Sequence, residues 1–257
     1  MKHLAMMNIY RGGLTLSLLS AFFTTPLRIL NGIKGSDQTR KLIAGVGTYT
    51  YESGGWAAYQ AGLDLLLSFS SYVDIAVLHT AAGPIPNERS CIALPATAWQ
   101  SGSNLPPTFD GMLLVAQRAV KKKMLTAFTF EMGVLTYQMR AAAGNVLEAL
   151  YKPCISVLRA EISQSCQVTP IDIDPEQVFG SVAVIGNNTY FMTFEVTRTM
   201  ISKATEVMNS PKVRDKFTWC LLNVHLTDFS GNCLRRPFDR VMAFKNFTHT
   251  EWAKKHG

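Results

Sequence analysis

Ser181–Arg198 reads SVAVIGNNTYFMTFEVTR. Val182, Val184 and Ile185 form a short apolar run, and Gly186-Asn187-Asn188 supplies residue types that tolerate the positive φ of a tight turn. Beyond it Tyr190, Met192, Phe194 and Val196 alternate with Thr189, Phe191, Thr193, Glu195 and Thr197. Alternation with period two, rich in β-branched and aromatic residues, predicts a β-hairpin with one apolar face over a core and one mostly polar face. A hairpin this clear sets the expected class: α+β, a mixed or antiparallel sheet with several packed helices.

Working outward, Met1–Leu30 reads as a helix apolar over most of its surface, followed by a loop to Gln38. Lys41–Tyr51 reads as a strand whose Gly45 and Gly47 mark a bulge or a close backbone approach. Tyr59, Leu63, Leu66 and Leu67 share one face of a helix at Trp56–Ser70, and Tyr72–His79 reads as a buried strand. Ala81–Gly111 is rich in Pro, Gly and Ser and reads as a long surface loop. Gly111–Val120 and Met124–Tyr137 read either as two strands joined at Lys121–Lys123 or as one long helix. Helices are expected at Gln138–Tyr151 and Met200–Met208, a linking segment at Cys154–Pro170, and a central strand at Phe217–Leu226. The expected organisation is an apolar N-terminal segment over 1–38 and a single compact domain over 39–257.

The 257 residues are 47% hydrophobic and 17% charged, which excludes a chain disordered as a whole. The net charge of +7 is unevenly spread. Residues 1–197 carry 14 Lys/Arg against 13 Asp/Glu, and residues 198–257 carry 11 against 5. A localised basic excess is drawn to phosphates and anionic head groups. The expected contact residues are therefore Lys121, Lys122, Lys123, Arg235, Arg236, Arg240, Lys245, Lys254 and Lys255, with Phe238, Phe244, Phe247 and Trp252 interleaved among those of the tail. The run Leu14–Phe23 offers an apolar contact through Leu14, Leu16, Leu18, Leu19, Phe22 and Phe23. It resembles a signal-peptide core but lacks a small-x-small cleavage site. Pro106, Pro107 and Phe109 form a variant of the Pro-Pro-x-Tyr segment that docks in aromatic grooves, a late-type motif.

The five cysteines show no CxxC spacing, so buried free thiols in a reducing compartment are expected rather than a disulfide framework or a zinc site. Two Asn-x-Thr triplets begin at Asn187 and Asn246. No P-loop, G-x-S-x-G elbow or H-E-x-x-H helix is present. His225 reads as a strand residue, and the paired Asp172 and Asp174 serve a turn as readily as a cation. No catalytic residue, cofactor or metal is therefore expected.

From the hairpin onward the order is strand, helix, Asn209-Ser210-Pro211-Lys212, strand and Gly231. Over Ser181–Gly231 this resembles the C-terminal part of rhabdovirus matrix proteins. The resemblance implies a non-enzymatic viral structural protein that self-associates into homo-oligomers. It would bridge an anionic membrane surface and the viral nucleocapsid or its RNA. It would lie in the virion and the host cytoplasm, peripherally on membranes, with the nucleus as a further location. An RNA-binding nucleocapsid or movement-type protein is the alternative, and an enzyme without a recognisable motif the third reading.

Overall fold

The structure is a computed structural model that describes residues 3–7, 15–47, 55–81, 91–99, 108–142, 146–161, 171–172, 181–185, 189–213, 216–227 and 238–256. Two compact units divide the chain. The first comprises Met1–Gly83, Ser103–Thr129 and Ser210–Cys220, and the second Pro84–Gly102, Phe130–Asn209 and Leu221–Gly257.

The first unit alternates strands and helices: β1 (Leu4–Met6), α1 (Leu16–Lys34), β2 (Leu42–Gly45), α2 (Gly55–Ser68), β3 (Ile75–Leu78), α3 (Phe109–Lys121) and β4 (Leu125–Glu131). The strands pair in parallel in chain order, Leu4 opposite Leu42, Ile43 opposite Ile75 and Ile75 opposite Leu125. A later strand, β10 (Phe217–Leu222), joins at β4 and closes the order β1-β2-β3-β4-β10. Parallel strands are covered on both faces, so they read as continuous apolar runs rather than as alternations. Ile75–Leu78 is such a run, and Leu125–Phe130 is one interrupted only by the buried Thr126 and Thr129. Helix α1 begins at Thr15, whose side chain accepts from Leu18 N, and ends at Gly35 in a positive-φ conformation. It buries Leu19, Phe23 and Leu27, while α2 buries Tyr59, Leu63, Leu66 and Leu67 as their spacing predicts. Phe109 of α3 stacks on Phe128 of β4 with centroids 5.8 Å apart. At the start of β3, Asp74 Oδ2 accepts from Lys34 Nζ and from Leu42 N, both at 2.7 Å, tying the end of α1 to two strands.

The second unit holds the hairpin. Its strands β5 (Val134–Met139), β6 (Cys154–Ala160), β7 (Ile171–Asp172), β8 (Ser181–Ile185) and β9 (Tyr190–Phe194) form an antiparallel sheet in the order β6-β5-β9-β8-β7. β8 pairs with β9 from Ser181 opposite Phe194 to Ile185 opposite Tyr190, so the expected hairpin is present. The turn residues Gly186–Asn188 lie outside the described residues. Helices α4 (Val146–Ala149), α5 (Thr197–Asn209) and α6 (Asp239–His256) complete the unit. Phe130 meets Phe244 of α6 edge-on at 5.2 Å.

Several expectations are corrected. The class is α/β, because the strands that follow one another through helices are parallel; the antiparallel sheet is confined to the second unit. The expected polar face of the hairpin is buried as well: β9 is central, and Thr193 Oγ1 donates to Leu94 O at 3.1 Å. The segment from Gly111 is helix, then strand, then a second strand, with Lys121–Lys123 at the C-terminus of α3 rather than in a hairpin turn. Lys123 takes a positive φ of 62° there. Gln138–Tyr151 is not one helix: its first residues end β5, and among its described residues Val146–Ala149 is the helical part. Cys154–Ala160 is a strand rather than a link, and Leu4–Met6 a strand before α1 begins. The strand at Phe217 stops at Leu222, because Asn223 turns left-handed at φ 54° into the short 3-10 turn Val224–Leu226. Cys91 and Cys154 are not free thiols; they form a disulfide with their Cα atoms 5.0 Å apart.

Candidate functional site

In the first unit the C-terminal ends of β2 and β3 bring together Gly45, His79 and Thr80. Thr129, in β4, meets Thr80 there. Their hydroxyls replace part of the strand ladder: Thr80 N donates to Thr129 Oγ1 at 2.9 Å, and Thr129 N to Thr80 Oγ1 at 3.0 Å. Thr80 Oγ1 donates to Thr129 O. Beside this clamp His79 is buried with no hydrogen-bond partner for either ring nitrogen among the described residues. Burial pushes its imidazole down to about 4, so it is neutral at ordinary pH. Gly45 makes the room. A Cβ there would stand 3.1 Å from Val77 Cβ, 3.2 Å from Met7 Sδ and 3.3 Å from His79 Nε2. The close approach expected at Gly45 is thus present.

In the second unit Glu131 ends β4 with a fully buried carboxylate. Oε1 accepts from Gly133 N at 2.9 Å, and Asn223 Nδ2 reaches Oε1 and Oε2 at 3.1 and 3.0 Å. Arg159 Nε lies 3.0 Å from Oε2 as an ion pair. Burial raises the Glu131 carboxyl above its ordinary range, against the opposing pull of Arg159 and the hydrogen bonds from Gly133 and Asn223. An alanine Cβ at 133 would meet Ala160 O and Leu226 Cδ1 at 3.0 Å, so glycine permits this closure.

A second buried cluster joins Thr97, Glu195 and Lys203. Lys203 Nζ donates to Thr97 O at 2.9 Å, to Thr97 Oγ1 at 2.8 Å and to Glu195 Oε1. Thr199 Oγ1 donates to Glu195 Oε2 at 2.7 Å. Burial lowers the Lys203 ammonium below its usual range, and Glu195 acts against that fall. With all three of its protons placed, Lys203 holds α5 to the loop at Thr97; the arrangement is structural.

The residues expected to touch phosphates do not share one environment. Lys121, Lys122 and Lys123 are exposed in the first unit. Lys245 is exposed on α6, Lys254 pairs with Glu251 at 2.6 Å, and Lys255 is helical. Arg235 and Arg236 lie outside the described residues. Arg240 is buried, its guanidinium donating to the carbonyls of Glu195 and Met132, which makes it a brace within the second unit. Of the apolar contact residues, Leu18 and Phe22 are exposed and Leu19 and Phe23 buried on the opposite face of α1; Leu14 and the side chain of Leu16 lie outside the described residues. Phe109 is a core residue, and Pro106 and Pro107 fall outside the described residues. His225 is exposed in the 3-10 turn. Asp174 lies outside the described residues, among which no group of three or more His, Cys, Asp or Glu is placed to hold a metal ion. No described helix is long and apolar enough to cross a membrane.

Sequence reasoning missed Glu131, His79 and the Thr80–Thr129 pair. The signal is an acid closing a strand, LTAFTFE, whose other residues are apolar or threonine, and a His-Thr pair at the end of another strand. Strand ends of a parallel sheet are where such folds place their chemistry.

No family model matches the chain. No curated protein matches it in sequence. Solved structures do match in fold. An N-acetylglucosaminidase of glycoside hydrolase family 18 from Paenibacillus barengoltzii superposes with a TM-score of 0.58 at 12% identity, over 86% of this chain and 63% of that one. Human YKL-39, described as a pseudo-chitinase with retained chitooligosaccharide binding, gives 0.65 at 13% identity over 90% of this chain and 65% of its own. The Group IV chitinase of Ostrinia furnacalis gives 0.65 at 14% identity over 96% and 68%. The chain thus spans less than two thirds of the length of the first two. These likenesses overturn the resemblance to rhabdovirus matrix proteins, which rested on the order of elements over Ser181–Gly231 alone. With it fall the non-enzymatic matrix function, its RNA-binding alternative, and the membrane, nucleocapsid and homo-oligomer partners. The chain has the TIM-barrel-like α/β fold of the family 18 chitinases, a fold in which hydrolases and a pseudo-enzyme both occur.

Proposed function

We propose that this chain is a chitinase-like protein whose ligand is a chitooligosaccharide, taken up at the C-terminal ends of the parallel strands. One observation carries the reading: across 86 to 96% of the chain the fold follows proteins named for binding or cleaving such sugars. Barrel folds of this type place their ligands at the C-terminal strand ends, whichever chemistry they perform. Sugar recognition needs a few hydrogen-bonding groups set in an apolar wall. The first unit sets Thr80, Thr129 and His79 at these strand ends; all three are buried, so they would shape the floor beneath a ligand rather than touch it.

Hydrolysis is the second reading, favoured by Glu131. Glycosidic cleavage needs a carboxylic acid to protonate the leaving oxygen, and substrate-assisted family 18 enzymes depart from the usual pair of carboxylates. Glu131 is an acid at the end of a parallel strand, and burial raises its carboxyl as a proton donor requires. Titration calorimetry with the N-acetylglucosamine tetramer, together with mass analysis of the same sugar after incubation, tests both readings. Saturable heat with the tetramer intact supports binding, and appearance of shorter sugars that is lost in Glu131→Gln supports hydrolysis. Neither heat nor cleavage at millimolar sugar overturns the proposal.

A further inference from the structure

We infer that Asn246 is a site of N-linked glycosylation. The inference does not rest on the ligand reading. It rests on three observations in the second unit. First, Asn246-Phe247-Thr248 is an acceptor triplet, and no proline intervenes. Second, Asn246 is exposed on α6, and so are Met242 and Ala243 one turn before it and His249 and Thr250 one turn after. A bulky glycan there projects from the solvent side of the helix and leaves the buried side, Arg240 and Phe244, undisturbed. Third, the same unit carries the Cys91–Cys154 disulfide, which closes 63 residues of chain. Disulfides persist in oxidising compartments, and the secretory lumen is where this glycosylation occurs.

The chemistry balances without redox change. Asn246 Nδ2 forms a bond to the anomeric carbon of an oligosaccharide carried on a lipid diphosphate. The bond from that carbon to the diphosphate oxygen breaks, the lipid diphosphate leaves with the electron pair, and the Nδ2 proton passes to a base of the transferase. In the folded protein Thr248 Oγ1 donates to Lys245 O at 3.0 Å within α6. The acceptor is thus helical once folded, and transfer precedes the folding of α6.

The test uses the full chain directed into the secretory pathway of eukaryotic cells, with both cell lysate and medium collected. Tryptic peptides are analysed with and without peptide N-glycosidase in isotopically heavy water. The expected result is heavy-oxygen conversion of Asn246 to Asp in the enzyme-treated sample. It is accompanied by one mobility step on gels that vanishes in Asn246→Gln and Thr248→Ala and persists in Thr248→Ser. The conservative serine variant separates loss of the acceptor from loss of folding. An unmodified Asn246 peptide in disulfide-bonded wild-type protein overturns the inference, as does a gel mobility left unchanged by Asn246→Gln.

Discussion

Acidification should weaken the first unit through His79, and the size of the effect follows from its setting. Burial holds the folded imidazole at about 4, against 6.5 when it is free in solution. Between these values the unfolded chain binds a proton that the folded chain cannot. Stability therefore rises with pH across this window and is lost as pH falls through it. A difference of about 2.5 units at 1.36 kcal/mol each gives about 3 kcal/mol, absent above pH 6.5 and fully expressed below about pH 4. No described partner softens the loss, because neither ring nitrogen has a hydrogen bond there. The assay is guanidinium unfolding at pH 7 and at pH 4, read locally by hydrogen exchange of the β3 amides of Ile75–Leu78. His79→Leu keeps the site apolar and removes the titrating group, so the carboxylates that also titrate cancel in the comparison. Wild type should lose about 3 kcal/mol more than the variant between the two pH values. Equal losses in the two proteins, or an imidazole nitrogen spectrum showing protonation near pH 6.5, would refute the reasoning.

Two further predictions concern the second unit. Lys203→Met leaves the Glu195 carboxylate buried without its cation and should cost about 3–5 kcal/mol in denaturant unfolding; adding Glu195→Leu should restore part of that loss. If the double variant is less stable than the single, the pair is not the source of the cost. Gly133→Ala sets a Cβ 3.0 Å from the carbonyl of Ala160, a backbone atom that cannot swing aside. It should destabilise by about 1–3 kcal/mol, seen as a fall in Tm by calorimetry, and an unchanged Tm would show that β5 and β6 adjust freely.

The hairpin was legible because antiparallel strands alternate, and alternation is what a sequence displays most openly. It was also misleading, because it governed only the second unit. The decisive elements are legible one at a time: a strand within Lys41–Tyr51, a helix over most of Trp56–Ser70 and a buried strand within Tyr72–His79, although the two strands are shorter than those spans. Their order, strand–helix–strand, is the mark of a parallel sheet. Covered on both faces, these strands show no period of two, so nothing in any single strand announces which way its neighbour runs. The disulfide was hidden for a related reason. Cys91 and Cys154 are 63 residues apart, and they are brought together by long-range pairing: Ile92 with Pro153, and backbone hydrogen bonds from Cys154 N to Cys91 O, from Ala93 N to Lys152 O and from Tyr151 N to Ala93 O.

Net charge overstates how many cations of the tail reach solvent, and particular residues show why. Arg240 counts as one of the cations of the tail, yet its guanidinium is consumed by the carbonyls of Glu195 and Met132. Lys203 counts likewise and is buried against Glu195, eight positions before it, across the strand-to-helix turn at Val196. A sequence records that a charge exists, and its surroundings decide whether that charge faces water. A buried arginine among main-chain acceptors and an exposed lysine on α3 contribute equally to a net charge of +7, but the first cannot reach a phosphate. The same distinction separates the acids. Glu131 has its oxygens engaged by Gly133, Asn223 and Arg159, whereas Glu251 shares an exposed helix surface with Lys254. What singles out Glu131 is the end of a parallel strand, and that position exists only once the direction of the sheet is known.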